Sequence, residues 1–240
     1  MNADSERDPF SERSELEAAY IAHHRNRGRY GFSYRLAERG PQLAQWIGVG
    51  QRLLDLGCRD GSLTQFYAAG NVVMGVDIDQ DALAVAKSRL RIETTWMDLS
   101  RVPFPFEDAS FTVVVAGELL EHLPLSANVV QEVLRVLTPG GLFVGSVPNA
   151  FHWRARLAFL RGRSNEDPTH LSLFSLSSLR SLLEGFPQVQ VLPVGGIGGR
   201  ALPVLPDWLS GPLVRGWPQM LANDFVFRAE APGFPKAVNG

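Results

Sequence analysis

The chain has 240 residues, of which 45% are hydrophobic and 20% charged, so its composition is that of a globular domain with a full core. Its 23 lysines and arginines are balanced by 25 acidic residues, and the net charge of -2 argues against a protein whose main work is gripping nucleic-acid phosphates. The single cysteine, Cys58, excludes an internal disulfide and a cysteine-rich zinc site.

The N-terminal segment, MNADSERDPFSERSELE, is polar and acidic and has neither the basic nor the apolar region of a secretory leader. No apolar run approaches the ~20 residues that a membrane helix requires. We therefore expect a cytoplasmic protein with no transmembrane segment.

The first predicted element that bears on the fold is a helix over 35–47, which we expect Gly40-Pro41 to break. From residue 52 onwards, short apolar runs alternate with helical stretches. The predicted strands are 52–56, 72–76, 92–96, 111–116 and 142–147. The predicted helices between them are 62–69, 80–90 and 127–137, and residues 138–141 (TPGG) are predicted to form a turn before the last strand.

This alternation is typical of an α/β fold. Continuous apolar strands separated by helices predict a doubly wound, mostly parallel, Rossmann-like sheet with helices on both faces. Beyond Asn149 the regular alternation weakens. There we expect a helix over 152–161, a helix that begins at Ser175, a glycine-rich connection at 195–199 and a final strand over 224–229.

The segment LLDLGCRDG, residues 53–61, joins the first predicted strand to the first predicted helix after it. Ligands of such sheets lie across the carboxyl ends of the strands, where the strand order reverses. Gly57 and Gly61 leave room for a ligand to approach the backbone, and Asp55 can hold the loop or attract a cationic group. The loop lacks the G-x-G-x-x-G spacing of NAD sites, because Arg59 stands between the two glycines.

Two further acids follow the next two predicted strands. Asp77 comes twenty residues after Gly57, where a carboxylate can bind a ribose diol. Asp98 follows the third strand, where it can accept a hydrogen bond from an adenine amino group while Leu99 supports the ring. Three acids at the ends of successive strands predict a pocket for a nucleoside.

Five motifs, in this order, resemble the class I S-adenosylmethionine (SAM)-dependent methyltransferases: LLDLGCRDGSLT, GVDID, WMDL, FTVVVAGELLEHL and LTPGGLFVGSVPN. The resemblance covers roughly residues 50–150, and DPTHLSLFSLSSLRSLL looks like the tail of many small bacterial members. It implies one methyltransferase domain, with an N-terminal helical lid at 1–50, a SAM-binding core at 51–150, and substrate-side and C-terminal elements at 151–240.

The resemblance also implies S-adenosylmethionine as cofactor and assigns the parts of its site. The glycine loop lines the methionine part, Asp77 the ribose and Asp98 the adenine, and Gly117 with Glu118 lies near the sulfonium. The residues implied are Asp55, Gly57, Cys58, Gly61, Asp77, Ile78, Asp98, Leu99, Gly117 and Glu118. One departure stands out, because family members usually carry glycine at the place of Arg59 and a small residue at that of Asp60. We expect Arg59 to turn outward or to pair with Asp60 or another acid.

Glu118, Glu121 and His122 follow the fourth strand, and helical spacing would place them on one face. With His170 they resemble a metal-associated E-x-x-E-H motif of ubiquinone O-methyltransferases and small-RNA 2′-O-methyltransferases. In much of the family, however, this sequence occurs without metal, so both interpretations stay open. His122 is the candidate general base, since imidazole accepts protons near neutral pH.

We therefore expect an enzyme that moves a methyl group from SAM to an oxygen atom of a small-molecule acceptor. Two alternatives stay open: a metal-dependent 2′-O-methyltransferase of RNA ends, and a non-catalytic, SAM-binding accessory protein. The near-neutral charge and the lack of an added RNA-binding domain make nucleic acid the less favoured partner. The sequence does not indicate an oligomeric state.

Overall fold

A computed structural model describes residue 31 and residues 35–163, 167, 169–195 and 207–233, with the backbone alone for 207–211. Its strands are β1 (Arg52–Leu56), β2 (Val72–Asp77), β3 (Glu93–Trp96), β4 (Phe111–Gly117), β5 (Leu137–Pro148), β6 (Gln188–Val194) and β7 (Asp224–Glu230). Its helices are α1 (Leu36–Ile47), α2 (Gln80–Leu90), α3 (Ser126–Val136), α4 (Trp153–Leu160), α5 (Leu176–Leu182), α6 (Asp207–Gly216) and α7 (Pro218–Leu221).

The strands form one sheet in the order β3-β2-β1-β4-β5-β7-β6. Strands β1 to β5 pair in parallel, and β7 runs antiparallel to both β5 and β6. The order reverses between β1 and β4, so the carboxyl ends of these two strands bound a crevice. The predicted Rossmann-like, mostly parallel sheet is confirmed.

Both faces of the sheet are covered, because successive strand residues point to opposite sides. Leu53 and Val113 pack on one side with Leu43 and Ile47 of α1. On the other side, residues such as Leu54 and Val114 pack with α3 and α5. This second set includes Val129, Val130, Val133, Val136 and Leu179. Among the described residues, every helix is too short or too polar to cross a lipid bilayer.

The predicted break at Gly40-Pro41 is wrong. Helix α1 continues through Pro41, since the loss of one backbone donor near its start is tolerated within a well-packed helix. Gly40 serves close packing instead. A Cβ atom there would lie 2.6 Å from the ring of Phe66, so only glycine lets the helix approach that side chain.

Two other local predictions need correction, and one strand was not predicted at all. The expected helix over 62–69 is reduced to a 3-10 turn at Thr64–Phe66. The expected turn at 138–141 lies inside β5, whose register on β4 shifts between Phe111 and Val113. Strand β6 was not predicted, because its sequence, QVQVLPV, contains a proline and pairs only at the edge of the sheet.

The elements after residue 149 follow their predicted starts closely. His152 caps α4 by accepting a hydrogen bond from the backbone of Arg154, and Ser175 caps α5 in a capping box with Ser178. Strand β7 is the predicted final strand. Most of the predicted glycine connection at 195–199, and residues 1–30 of the predicted lid, lie outside the described residues.

Candidate functional site

A cavity of about 310 Å³ lies at the carboxyl ends of β1 and β4, where the strand order reverses. Most residues predicted for the site line it: Asp55, Gly57, Cys58, Gly117, Glu118, Glu121, His122 and His170. The others do not: Gly61, Asp77, Ile78, Asp98 and Leu99. The structure thus brings together the predicted methionine side and the Glu-Glu-His cluster, while the predicted ribose and adenine residues stand outside the cavity.

The two loop glycines adopt left-handed backbone conformations. The φ angles of Gly57 and Gly61 are 70° and 74°, a region that side chains with a Cβ atom rarely enter. A Cβ atom at Gly61 would also lie 2.6 Å from Cδ1 of Leu90, and one at Gly57 would lie 3.0 Å from Cδ1 of Leu119. Both positions therefore require glycine for reasons of conformation and space.

Asp55 is buried at the end of β1 and forms hydrogen bonds with two residues that follow the glycine loop. Its Oδ2 atom accepts hydrogen bonds from Thr64 Oγ1 at 2.7 Å and from Tyr67 Oη at 2.8 Å. Burial raises the pKa of Asp55 to about 6, although these two bonds oppose the shift. Burial, together with the charge of Asp55, also raises the pKa of the Cys58 thiol, so Cys58 is not an activated nucleophile.

Arg59 has a φ angle of 47°, a left-handed conformation that glycine adopts without strain. Its backbone N–H donates to Oδ2 of Asp77 over 3.0 Å. Burial raises the pKa of Asp60, but hydrogen bonds from Gly31 and Ser62 and the charge of Arg59 outweigh it and leave the pKa lowered. The Arg59 charge also acts to lower the pKa of Asp77, so it interacts with two acids.

Asp77 is buried at the end of β2, and its two oxygens accept from the backbones of Arg59 and Asp79. Burial raises its pKa to about 6. Asp98 accepts hydrogen bonds from Ser100 and pairs with Arg101 at 3.1 Å. Both acids thus have protein partners in the structure.

The structure lacks the helix that would have placed Glu118, Glu121 and His122 on one face, because the backbone of Glu118 is not helical. Glu118 has a φ angle of 55°, in the left-handed region, and only a 3-10 turn at Leu120–His122 follows it. The α-helical spacing assumed for Glu118, Glu121 and His122 is therefore wrong. A non-glycine residue held in this conformation at a cavity wall is a common sign of a functional site. The Oε1 atom of Glu118 is buried without a hydrogen bond and lies 3.5 Å from Nη1 of Arg39.

Arg39 was not predicted for the site. Its side chain is completely buried, and Nη1 donates to Oγ of Ser146 at 2.7 Å. One signal in the sequence pointed to it, because Arg39 lies four and eight residues before the core residues Leu43 and Ile47, on the same face of α1. A buried guanidinium beside Glu118 compensates part of the negative charge at this end of the cavity.

Three of the four residues proposed for a metal do converge. Ligand atoms of Glu121, His122 and His170 lie within 4.8 Å of one another, whereas Glu118 is not part of this group. Glu121 is buried, and its Oε2 has no hydrogen-bond partner. His122 Nδ1 lies 3.0 Å from the carbonyl oxygen of Thr169, and the rings of His122 and His170 meet edge to face at 4.9 Å.

Asp224 also lines the cavity and was not predicted for the site. Asp224, at the start of β7, is buried, and its Oδ2 lies 3.2 Å from Nε of Arg35. Arg35 also donates to Oδ1 of Asn223 at 3.1 Å and to Glu38. Burial and the nearby charge of Glu118 raise the pKa of Asp224 to about 8. The start of α1 and the start of β7 are thus joined at the cavity.

Comparison with known proteins shows which family the chain resembles. The profile of a family described as "Methyltransferase domain" matches residues 22–186, more than half of the chain. A probable S-adenosylmethionine-dependent methyltransferase of Mycolicibacterium smegmatis is 35% identical over 139 residues, covering 57% of this chain and 51% of the relative. One of Mycobacterium tuberculosis is 32% identical over 185 residues, covering 72% and 65%.

The chain therefore belongs to the class I SAM-dependent methyltransferase family, as its motifs implied. It spans between about half and two thirds of the length of these curated relatives. A solved structure from Thermotoga maritima, titled a possible histamine N-methyltransferase, shares the fold at a TM-score of 0.64 and 13% identity, covering 90% of this chain and 98% of that one.

Proposed function

We propose that the chain binds S-adenosylmethionine and transfers its methyl group to an oxygen of a small-molecule acceptor. One observation carries the proposal: the left-handed glycine loop and Asp55 open into the same cavity as Glu118 and His122. A methyl group that is already activated by a sulfonium needs chiefly a correctly placed nucleophile, so one cavity that holds donor and acceptor is sufficient.

For the cofactor, we assign the methionine part to the cavity wall made by Asp55, Gly57, Cys58, Gly117 and Glu118. The ribose and adenine would then extend along the strand ends towards β2 and β3, past Asp77, Ile78, Asp98 and Leu99. Each oxygen of Asp77 takes one backbone hydrogen bond, whereas a carboxylate oxygen can accept two. Asp77 therefore keeps the capacity to bind a ribose diol.

For the acceptor, we propose His122 as general base. Because the carbonyl of Thr169 can only accept, Nδ1 of a neutral His122 carries the proton and Nε2 is the acceptor atom. That tautomer suits the removal of a proton from a hydroxyl during methyl transfer. An oxygen acceptor also agrees with the names of relatives such as the ubiquinone biosynthesis O-methyltransferase of Thiobacillus denitrificans, which is 34% identical over 116 residues, covering 44% of this chain and 50% of the relative.

Calorimetric titration with SAM, followed by transfer of a labelled methyl group to a panel of hydroxylated small molecules, tests this function. We expect saturable binding and label on the acceptor. Absence of binding heat at high protein concentration would overturn the proposal. Binding without transfer to any acceptor, together with a co-purifying partner, would instead favour the accessory-protein alternative, and label on RNA ends would favour the RNA alternative.

A second candidate, metal-assisted methyl transfer, is favoured by the buried unpartnered Oε2 of Glu121 beside His122 and His170. Two imidazoles and a carboxylate form a donor set that suits Zn²⁺ and other first-row divalent ions. The contact from Nδ1 of His122 to a carbonyl is the arrangement that orients a ligating Nε2. The same Nε2 atom cannot serve as base and ligand together, so the two roles are experimentally separable.

A further inference from the structure

The rim of the cavity presents large apolar side chains to solvent. Leu160, at the end of α4, is 84% exposed, and Leu171, on the loop beyond it, is 62% exposed. Each adjoins the cavity through its neighbours, since Phe159 and Leu173 line the cavity and are themselves partly exposed. Phe159, Leu160, Leu171 and Leu173 are thus exposed apolar residues on two segments that both contribute to the cavity lining, and exposed apolar side chains in such a setting are a feature of contact surfaces.

The same rim is basic. Residues 151–163, FHWRARLAFLRGR, contain four arginines and no acidic residue, in a chain whose net charge is -2. Arg156, Arg161 and Arg163 are exposed. The next acids along the chain are Glu166 and Asp167, and Oδ1 of Asp167 accepts hydrogen bonds from the backbone and hydroxyl of Thr169. Positive charge is therefore concentrated where the apolar side chains are exposed.

We propose that this rim, defined by α4, residues 161–163 and residues 171–173, docks onto an anionic lipid surface. Leu160 and Leu171 would enter the headgroup region, while the arginines pair with lipid phosphates, as in interfacial helices. RNA fits less well, because bases stack on aromatic rings and the most exposed residues are leucines. The docking does not depend on methyl transfer, although it places the mouth of the cavity against the lipid.

Sedimentation of the full chain with vesicles tests the proposal. One set of vesicles contains equal parts of phosphatidylglycerol and phosphatidylcholine, and the other contains phosphatidylcholine alone. We expect binding to the anionic vesicles at least about fivefold tighter than to the neutral ones, and its loss in about 0.5 M NaCl. The double substitutions Leu160→Ser with Leu171→Ser, and Arg161→Glu with Arg163→Glu, should each weaken binding by about tenfold or more.

Two control variants carry matched changes far from the rim. Val49→Ser with Val72→Ser alters exposed apolar residues at the opposite end of the strands, and Arg89→Glu with Arg91→Glu alters exposed arginines at the end of α2. Both should bind anionic vesicles like the unaltered chain, and circular dichroism and SAM titration should show all four variants folded. Equal binding to both vesicle types, an equal loss in the controls, or binding to single-stranded RNA but not to vesicles would overturn the proposal.

Discussion

The backbone N–H of Arg59 donates a hydrogen bond to Oδ2 of Asp77 over 3.0 Å. The residue that stands where the family resemblance implied a glycine thus holds the acid proposed to bind ribose. The donor of this bond is the main chain of Arg59, which lies in the left-handed region. Any side chain with a Cβ atom makes that conformation less favourable. A glycine can make the same bond without strain.

The first prediction compares Arg59→Gly with Arg59→Ala. Both substitutions remove the charge beside Asp60 and Asp77, and they differ only by one Cβ atom at a φ angle of 47°. We expect the free energy of unfolding, measured in urea, to be about 1 kcal/mol greater for the glycine variant. An alanine variant of equal or greater stability would show that residue 59 is not held in the left-handed region.

The second prediction concerns Asp77→Asn and the affinity for SAM. If the carboxylate binds the ribose diol, loss of its charge should raise the dissociation constant about 10- to 100-fold, the range of a charge-assisted hydrogen bond. Asp81→Asn is the matched control, since Asp81 is an exposed acid in the first turn of α2. Circular dichroism must show Asp77→Asn folded, because the side chain also accepts two backbone bonds. A folded variant with unchanged affinity would exclude the ribose role.

The success of the sequence predictions depended on how far apart the interacting residues lie in the chain. Asp55, Gly57 and Gly61 share one strand and one turn, so their spacing alone predicted a glycine loop at the end of the first strand. Asp77 was placed at a neighbouring strand end by the periodicity of the sheet. Within a parallel α/β fold, local patterns are sufficient to locate such residues, because the carboxyl ends of the strands meet at one edge.

Arg39 and Asp224 escaped prediction for the opposite reason. Arg39 bonds to Ser146 across 107 residues of sequence, and Arg35 joins Asn223, next to Asp224, across 188. Nothing local distinguishes a buried charged residue from a solvated one until its partner is known. The same limit explains the error at Glu118, whose left-handed backbone interrupts a spacing that looked helical.

The third prediction concerns the pH dependence of stability through Asp55. Its pKa is about 6 in the folded chain against an ordinary 3.8. Between these values the folded state keeps a proton that the unfolded state has lost, so this contribution to stability is present below pH 3.8 and is lost as pH rises through about 6. Asp55→Asn does not titrate. Its free energy of unfolding relative to the unaltered chain should therefore rise with pH, by about 3 kcal/mol at most.

Urea unfolding without SAM, at several pH values between about 4 and 7.5, measures this difference. Asp81→Asn, which alters an exposed aspartate outside the cavity, serves again as control. Parallel stability profiles for Asp55→Asn and the unaltered chain would mean that folding does not raise the pKa of Asp55.

The last prediction distinguishes two roles for Nε2 of His122, that of a general base and that of a metal ligand. If His122 is the base, His122→Ala should lower the rate of methyl transfer by about 10²- to 10⁴-fold, whereas His170→Ala, which alters only the neighbouring ring, should retain most of the rate. Treatment with EDTA should then leave the rate unchanged. The control is His152→Ala, because His152 lines the same cavity but uses its Nδ1 to cap α4 and is outside the cluster of Glu121, His122 and His170. Equal losses of rate in His122→Ala and His170→Ala, with inactivation by EDTA and recovery on adding Zn²⁺ or Mn²⁺, would assign the site to a metal. That result would also exclude His122 as the base, since a nitrogen that ligates a cation has no lone pair left for a proton.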